Sequence, residues 1–164
     1  MAGYDVAQIC MNGHVANPAS RAYPDPQRKF CAHCGAPLVQ HCKACGAEIK
    51  GIYVDINSLY TENPARSYRP PGYCEKCGEP FPWTESKIGA AKDLIELAEK
   101  LNDTEKATLA ADLPDLVRDT PRTQVAATRF KKLAAKVGGG IAAALRDVIV
   151  DIASEAAKKV ILGP

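Results

Sequence analysis

From Thr84 onwards, apolar residues recur every three to four positions, the spacing that turns one face of a helix inward. Ile88, Ala91, Leu94, Ile95, Ala98 and Leu101 share such a face and predict a first helix near 85–101, with Thr84 as its cap. Asn102 followed by Glu105 has the form of a capping box, so a second helix near 103–112 should begin there and be interrupted by Pro114. Thr120–Pro121 supplies a cap and a first-turn proline for a third helix near 121–137. Its inward stripe is Ala126, Phe130, Leu133, Ala134 and Val137, and Gly138–Gly139–Gly140 should end it. A last helix near 141–162 sets a narrow polar stripe (Asp147, Asp151, Ser154, Glu155, Lys158) against a wide apolar one containing Ile141, Leu145, Val148, Ile149, Ile152, Ala156 and Val160. So wide a face asks for cover on more than one side.

Before Thr84 no helical period exists. Short apolar runs at Ala36–Gln40, Ala47–Val54 and around Tyr68–Tyr73 read as small strands, and the proline-rich stretches 23–26 and 69–72 read as loops. The change of pattern at Phe81–Thr84 divides the chain into 1–83 and 84–164. All seven cysteines, all three histidines and nine of the twelve prolines fall in the first part, which has too little aliphatic content for a self-sufficient core. A region of that kind needs staples.

The staple is metal. Nothing at Met1–Asp5 reads as an export leader, and no stretch approaches a membrane span, so the cysteines are expected in a reducing, cytoplasmic setting. They form Cys31-x2-Cys34, Cys42-x2-Cys45 and Cys74-x2-Cys77, and the seventh sits in Cys10-x3-His14. Eight donors make two tetrahedral sites with no cysteine left over. Glycine follows each CxxC pair, at Gly35, Gly46 and Gly78, where positive φ lets the turn aim amides at the thiolates. Sequential pairing unites Cys10, His14, Cys31 and Cys34 at one zinc, and Cys42, Cys45, Cys74 and Cys77 at the other. A cross-brace would exchange the partners and enclose longer loops. His33 and His41 neighbour ligands and could replace one, although an exposed or supporting imidazole is the simpler role. Full donor sets predict structural rather than catalytic zinc. The fold class that follows is small α+β, a double zinc ribbon of short β-hairpins before about four helices. A thioredoxin-like redox role is disfavoured, because no CxxC here opens a helix.

The framework ICMNGHVAN, KFCAHCGAP, HCKACGAEIKG and GYCEKCGEPFPWT resembles a bacterial family of short proteins known only as a domain of unknown function. The likeness covers the donor half closely and Trp83 to about Val137 more loosely. All eight donor positions match the family pattern. The resemblance implies a bacterial cytoplasmic zinc-ribbon protein and names no substrate.

Charge narrows the function little. The formal +2 counts thiols as neutral, and seven thiolates with two divalent ions would change it by −3, to about −1. The reading that follows is a non-enzymatic adaptor, with a ribbon for recognition and Ile141–Leu162 for self-association or a protein partner. Gly139 with Ala143, and Gly140 with Ala144, would permit close helix approach. Nucleic-acid binding is an alternative: Tyr53, Tyr60, Tyr68, Tyr73 and Trp83 alternate with Lys50, Arg66, Arg69 and Lys76, and Arg129, Lys131, Lys132 and Lys136 form a basic group. Against it, residues 1–83 hold eight Lys and Arg beside seven Asp and Glu. Membrane engagement by a glycine-hinged last helix is a further alternative, opposed by the acidic Asp147, Asp151 and Glu155. No nucleophile–base constellation supports an enzyme, and Asp55 and Glu62 receive no role.

Overall fold

Five short strands carry the amino-terminal part of the molecule in the computed structural model, which describes residues 2–55 and 67–163. They are β1 (Ala2–Val6), β2 (Gln8–Cys10), β3 (Val15–Asn17), β4 (Leu38–Val39) and β5 (Lys50–Asp55). β1 pairs antiparallel with β5, and β2 lies between β3 and β4. The run around Tyr68–Tyr73 forms no strand beyond a bridge between Tyr73 and Pro80, and Tyr60, Glu62 and Arg66 lie outside the described residues. β1 to β3 are too short and polar to stand out along the chain. They exist through pairing with distant segments.

A bulge between Tyr4 and Val6 turns Asp5 inward. Its carboxylate accepts from the amides of Val6 (2.6 Å), Arg21 (2.9 Å) and Ala22 (2.9 Å), which fixes the loop after β3. That loop crosses β5 at Gly51. A Cβ there would overlap the Pro18 carbonyl oxygen and come within 2.9 Å of the Asp5 carbonyl oxygen. Gly51→Ala is therefore expected to destabilise the unit by about 1–3 kcal/mol. Denaturant titration followed by Trp83 fluorescence measures it, and an unchanged midpoint would contradict the close crossing.

The chain forms two compact units, Met1–Glu85 and Ser86–Pro164, divided inside α1 (Pro82–Glu96). The division lies slightly beyond the one drawn at 83/84, because Phe81, Trp83 and Thr84 are buried in the first unit. Phe81 stacks on Trp83 at 4.8 Å, and the Trp83 indole N–H donates to the Pro71 carbonyl (2.9 Å). Thr84 donates to the Gly72 carbonyl (2.8 Å) instead of capping a helix, which starts two residues earlier at Pro82, where a missing N–H costs nothing. The first unit's core is only Ala7, Ile9, Cys42, Ile49, Cys74, Phe81 and Trp83.

The second unit contains α2 (Asp103–Val117), α3 (Thr123–Val137), α4 (Gly139–Ile152) and α5 (Glu155–Leu162). α1 stops at Glu96, short of 101, and the chain reaches the buried Leu101 by three-residue turns (Ala98 N to Ile95 O and Leu101 N to Ala98 O, both 3.1 Å). The capping box at Asn102 and Glu105 forms with both bonds present. Pro114 does not end α2 near 112. Leu109, Leu113 and Leu116 are fully buried on one face, and that burial outweighs the single hydrogen bond the proline removes. α3 starts at Thr123, not at 121. The buried Thr123 hydroxyl donates to the Arg118 carbonyl (2.8 Å) and accepts from the Thr120 amide (2.8 Å), so the threonine holds the turn.

The last helix is two helices. Ala153 is extended, and Ser154 caps α5 by accepting from the Ala157 amide (3.3 Å), while its own amide donates to the Leu116 carbonyl (2.9 Å). The break lets Leu145 and Ile149 on α4 and Ala157 and Ile161 on α5 enter the same core as Phe130. A straight helix 141–162 could not keep all of them covered. Only Gly138 separates α3 from α4; Gly138 and Gly139 take positive φ, and Gly139 and Gly140 belong to α4. No helix among the described residues is long and apolar enough to cross a membrane.

Candidate metal centres

Each CxxC-Gly segment folds into the same knuckle. The first cysteine's amide donates to the carbonyl five residues on: Cys31 to Ala36 (2.8 Å), Cys42 to Ala47 (2.7 Å) and Cys74 to Glu79 (2.8 Å). The glycine amides return to the first cysteine's carbonyl, at 2.9 Å in all three. Gly35, Gly46 and Gly78 have φ of 69°, 73° and 77°, and open space surrounds all three, so backbone conformation alone demands glycine. A flanking bridge closes each knuckle, Phe30 with Pro37, His41 with Glu48 and Tyr73 with Pro80.

Cys10 to His14 is the same turn displaced by one residue. The Gly13 amide donates to the Cys10 carbonyl (2.8 Å) and the His14 amide to the Cys10 sulfur (3.2 Å). Glycine precedes the second donor here, with φ 87°, and an added Cβ would touch Trp83 at 3.0 Å. The longer imidazole makes up the difference in reach. This dependence of the first site on Gly13 and Trp83 was not read from the sequence, although a glycine at the third position after Cys10 was its signal.

The knuckles assemble sequentially. Cys10, His14, Cys31 and Cys34 form one group, and Cys42, Cys45, Cys74 and Cys77 the other, with donor atoms in each group within 4.8 Å of one another. A tetrahedral ion with metal–sulfur bonds of about 2.3 Å and a metal–nitrogen bond of about 2.0 Å requires sulfurs ~3.8 Å apart and a sulfur–nitrogen separation of ~3.5 Å. Cys10–Cys34 (3.8 Å), Cys42–Cys77 (3.7 Å) and Cys45–Cys74 (3.6 Å) have that separation. His14 Nδ1 lies 3.5 Å from Cys10 Sγ and 3.7 Å from Cys31 Sγ. These edges are far longer than a disulfide bond and match the tetrahedron. Two metal sites fit. The family of proteins described as uncharacterized and conserved in bacteria, DUF2321, matches residues 3–161.

The chain belongs to DUF2321. No curated protein and no solved structure matches it. In this DUF2321 chain the matched span includes all eight donors and both units.

The backbone supplies part of the charge compensation. The Ala36 amide, ahead of the other influences, lowers Cys34 to about 6. Amides of Cys77 and Lys76 lower Cys74 to about 7. On Cys77 the Glu79 amide pulls downward, but desolvation and the thiols of Cys45, Cys74 and Cys42 push it up to about 12. Burial likewise raises Cys10. Four sulfurs this close cannot all ionise alone, whereas a divalent cation removes the conflict. Asn12 adds a side-chain amide 3.4 Å from Cys34 Sγ.

Neither spare histidine belongs to a donor group. His33 is exposed, with its ring 5.5 Å from that of His14, and His41 is an exposed residue of the second knuckle's bridge. Two of the four cations of the basic group on α3 pair with acids inside their own unit. Arg129 donates to both oxygens of the buried Asp112 at 3.0 Å, and Lys136 pairs with Glu105, whose carboxyl it holds below the usual range. Lys131 donates to the Val160 carbonyl (3.2 Å). Of the tyrosines named for base stacking, Tyr53 is exposed and meets Tyr4 edge-on at 5.5 Å, while Trp83 is buried.

Proposed function

We propose that this chain is a non-enzymatic adaptor of the bacterial cytoplasm in which two structural zinc ions hold a recognition ribbon. The observation that carries the reading is the pair of complete four-donor sets with tetrahedral edges. Thiolate-rich tetrahedral donors select zinc among common divalent ions, and four protein donors leave no place for a substrate or an activated water. The pairing of Arg129 and Lys136 with carboxylates leaves fewer cations of α3 for phosphate and supports this reading. For the partner, the apolar side of residues 141–162 is mostly used within its own unit, through Leu145, Ile149, Ala157 and Ile161. Recognition then rests on the ribbon surface and on the flank of α4 and α5 that remains exposed.

Native mass spectrometry tests the metal part. The protein is expected to carry two zinc ions, and Cys45→Ala to carry one, with the Cys10 group still loaded. Folded protein without stoichiometric metal would end the proposal.

A further inference from the structure

A groove of about 480 Å³ lies on the second unit between α3, α4 and α5. Small side chains line much of it, Ala134 and Ala135 from α3 and Ala142 and Ala143 from α4, beside the buried Phe130 and Ile161 and the half-exposed Leu162. Alanines at these positions let another backbone approach closely. The cations lining it are Arg146 and Lys131, the latter donating one hydrogen bond to the Val160 carbonyl and paired with no acid, and no carboxylate lines it among the described residues. Several other cations of the unit face acids: Arg129 with Asp112, Arg122 with Asp115, Lys136 with Glu105, Lys87 with Asp151, Lys158 with Glu155 and Lys106 with Glu96.

We infer that this groove binds a short amphipathic helix of a partner protein, with small and apolar residues facing the alanines and carboxylates facing Lys131 and Arg146. The choice of occupant follows from charge. A second copy docking groove to groove would bring Arg146 and Lys131 against their own duplicates, and like charges across an interface oppose association. An acidic helix meets the same cations favourably, and its apolar stripe at i, i+3 and i+4 suits a shallow trough. The inference deepens the adaptor reading by naming one partner surface and rests on that reading for its biological sense; the groove itself belongs to the unit without metal donors.

Selection of a displayed library of helical 16-residue peptides against the zinc-loaded full chain tests it. Enriched peptides are expected to carry glutamate or aspartate beside an apolar stripe. Their affinity should fall at least tenfold with Arg146→Glu, which reverses an edge charge, and with Ala143→Tyr, which fills the groove. Both positions are solvent-facing, and thermal melts of the two variants verify that they fold. Peptides without acidic bias, binding indifferent to both substitutions, or no enrichment at all would overturn the inference. So would light scattering that shows a dimer of the chain dissolved by Ala143→Tyr. Zinc counted in the same samples keeps the two ideas apart: peptide binding by a metal-free, folded chain would sink the zinc reading and leave the groove.

Discussion

Stripping the metal will unfold residues 1–85 and leave the helices of the second unit standing. The expectation follows from what the first unit's interior is made of. Two of the seven buried residues in its core cluster, Cys42 and Cys74, are themselves candidate donors, so that core and the second donor group share residues. Without the ion, thiols packed this closely must either keep protons or repel, and one alanine, two isoleucines and two aromatic side chains remain in that cluster to hold the sheets. Structural zinc contributes on the order of 10–16 kcal/mol of apparent binding energy, more than a domain of this size has to spare. The protein carries its own reporter. Trp83 is the only tryptophan, is buried against Gly13 and Phe81, and belongs to the metal-dependent unit. Strong chelation should move its emission to the red and open the first unit to protease, while the helical circular dichroism signal changes little. Unchanged Trp83 emission and protection after verified metal removal would refute it.

Phe130→Ala should produce the opposite pattern. Phe130 is the largest fully buried side chain and sits among 17 buried residues drawn from every helix of the second unit. Truncating such a ring costs about 3–5 kcal/mol through lost transfer energy and the cavity left behind. For a unit of this length, that corresponds to a fall in melting temperature of roughly 12–40 °C. Zinc stoichiometry should be unaffected, since no donor lies in that cluster. A thermal melt at 222 nm with a midpoint within about 5 °C of the wild type would show that α3 is not the centre of this core.

The donor framework was legible because its chemistry is local. A thiolate pair two residues apart, followed by glycine, specifies its turn with little help from elsewhere, and three repeats of it sufficed to name Cys31, Cys34, Cys42, Cys45, Cys74 and Cys77. The capping box at Asn102 and the stripe on α3 were legible for the same reason. Other readings depended on competition between distant segments. Pro114 looked like a stop, but Leu113 and Leu116 gain more from burial than the helix loses there. Residues 141–162 looked like one helix, since nothing in their spacing reveals that Ser154 finds the Leu116 carbonyl and caps a new one.

The sequence by itself marked out the eight candidate donors, the change from a cysteine-rich part to a helical part, and the family resemblance, because each rests on residue types at short spacing. Only the tertiary structure decided which donor pairs come together, that Phe81 and Trp83 belong with the ribbon, that Arg129 and Lys136 pair with acids of α2, and that an alanine-lined groove stays open. These outcomes depend on which long-range contacts close together, and packing in three dimensions, not periodicity along the chain, chooses among them.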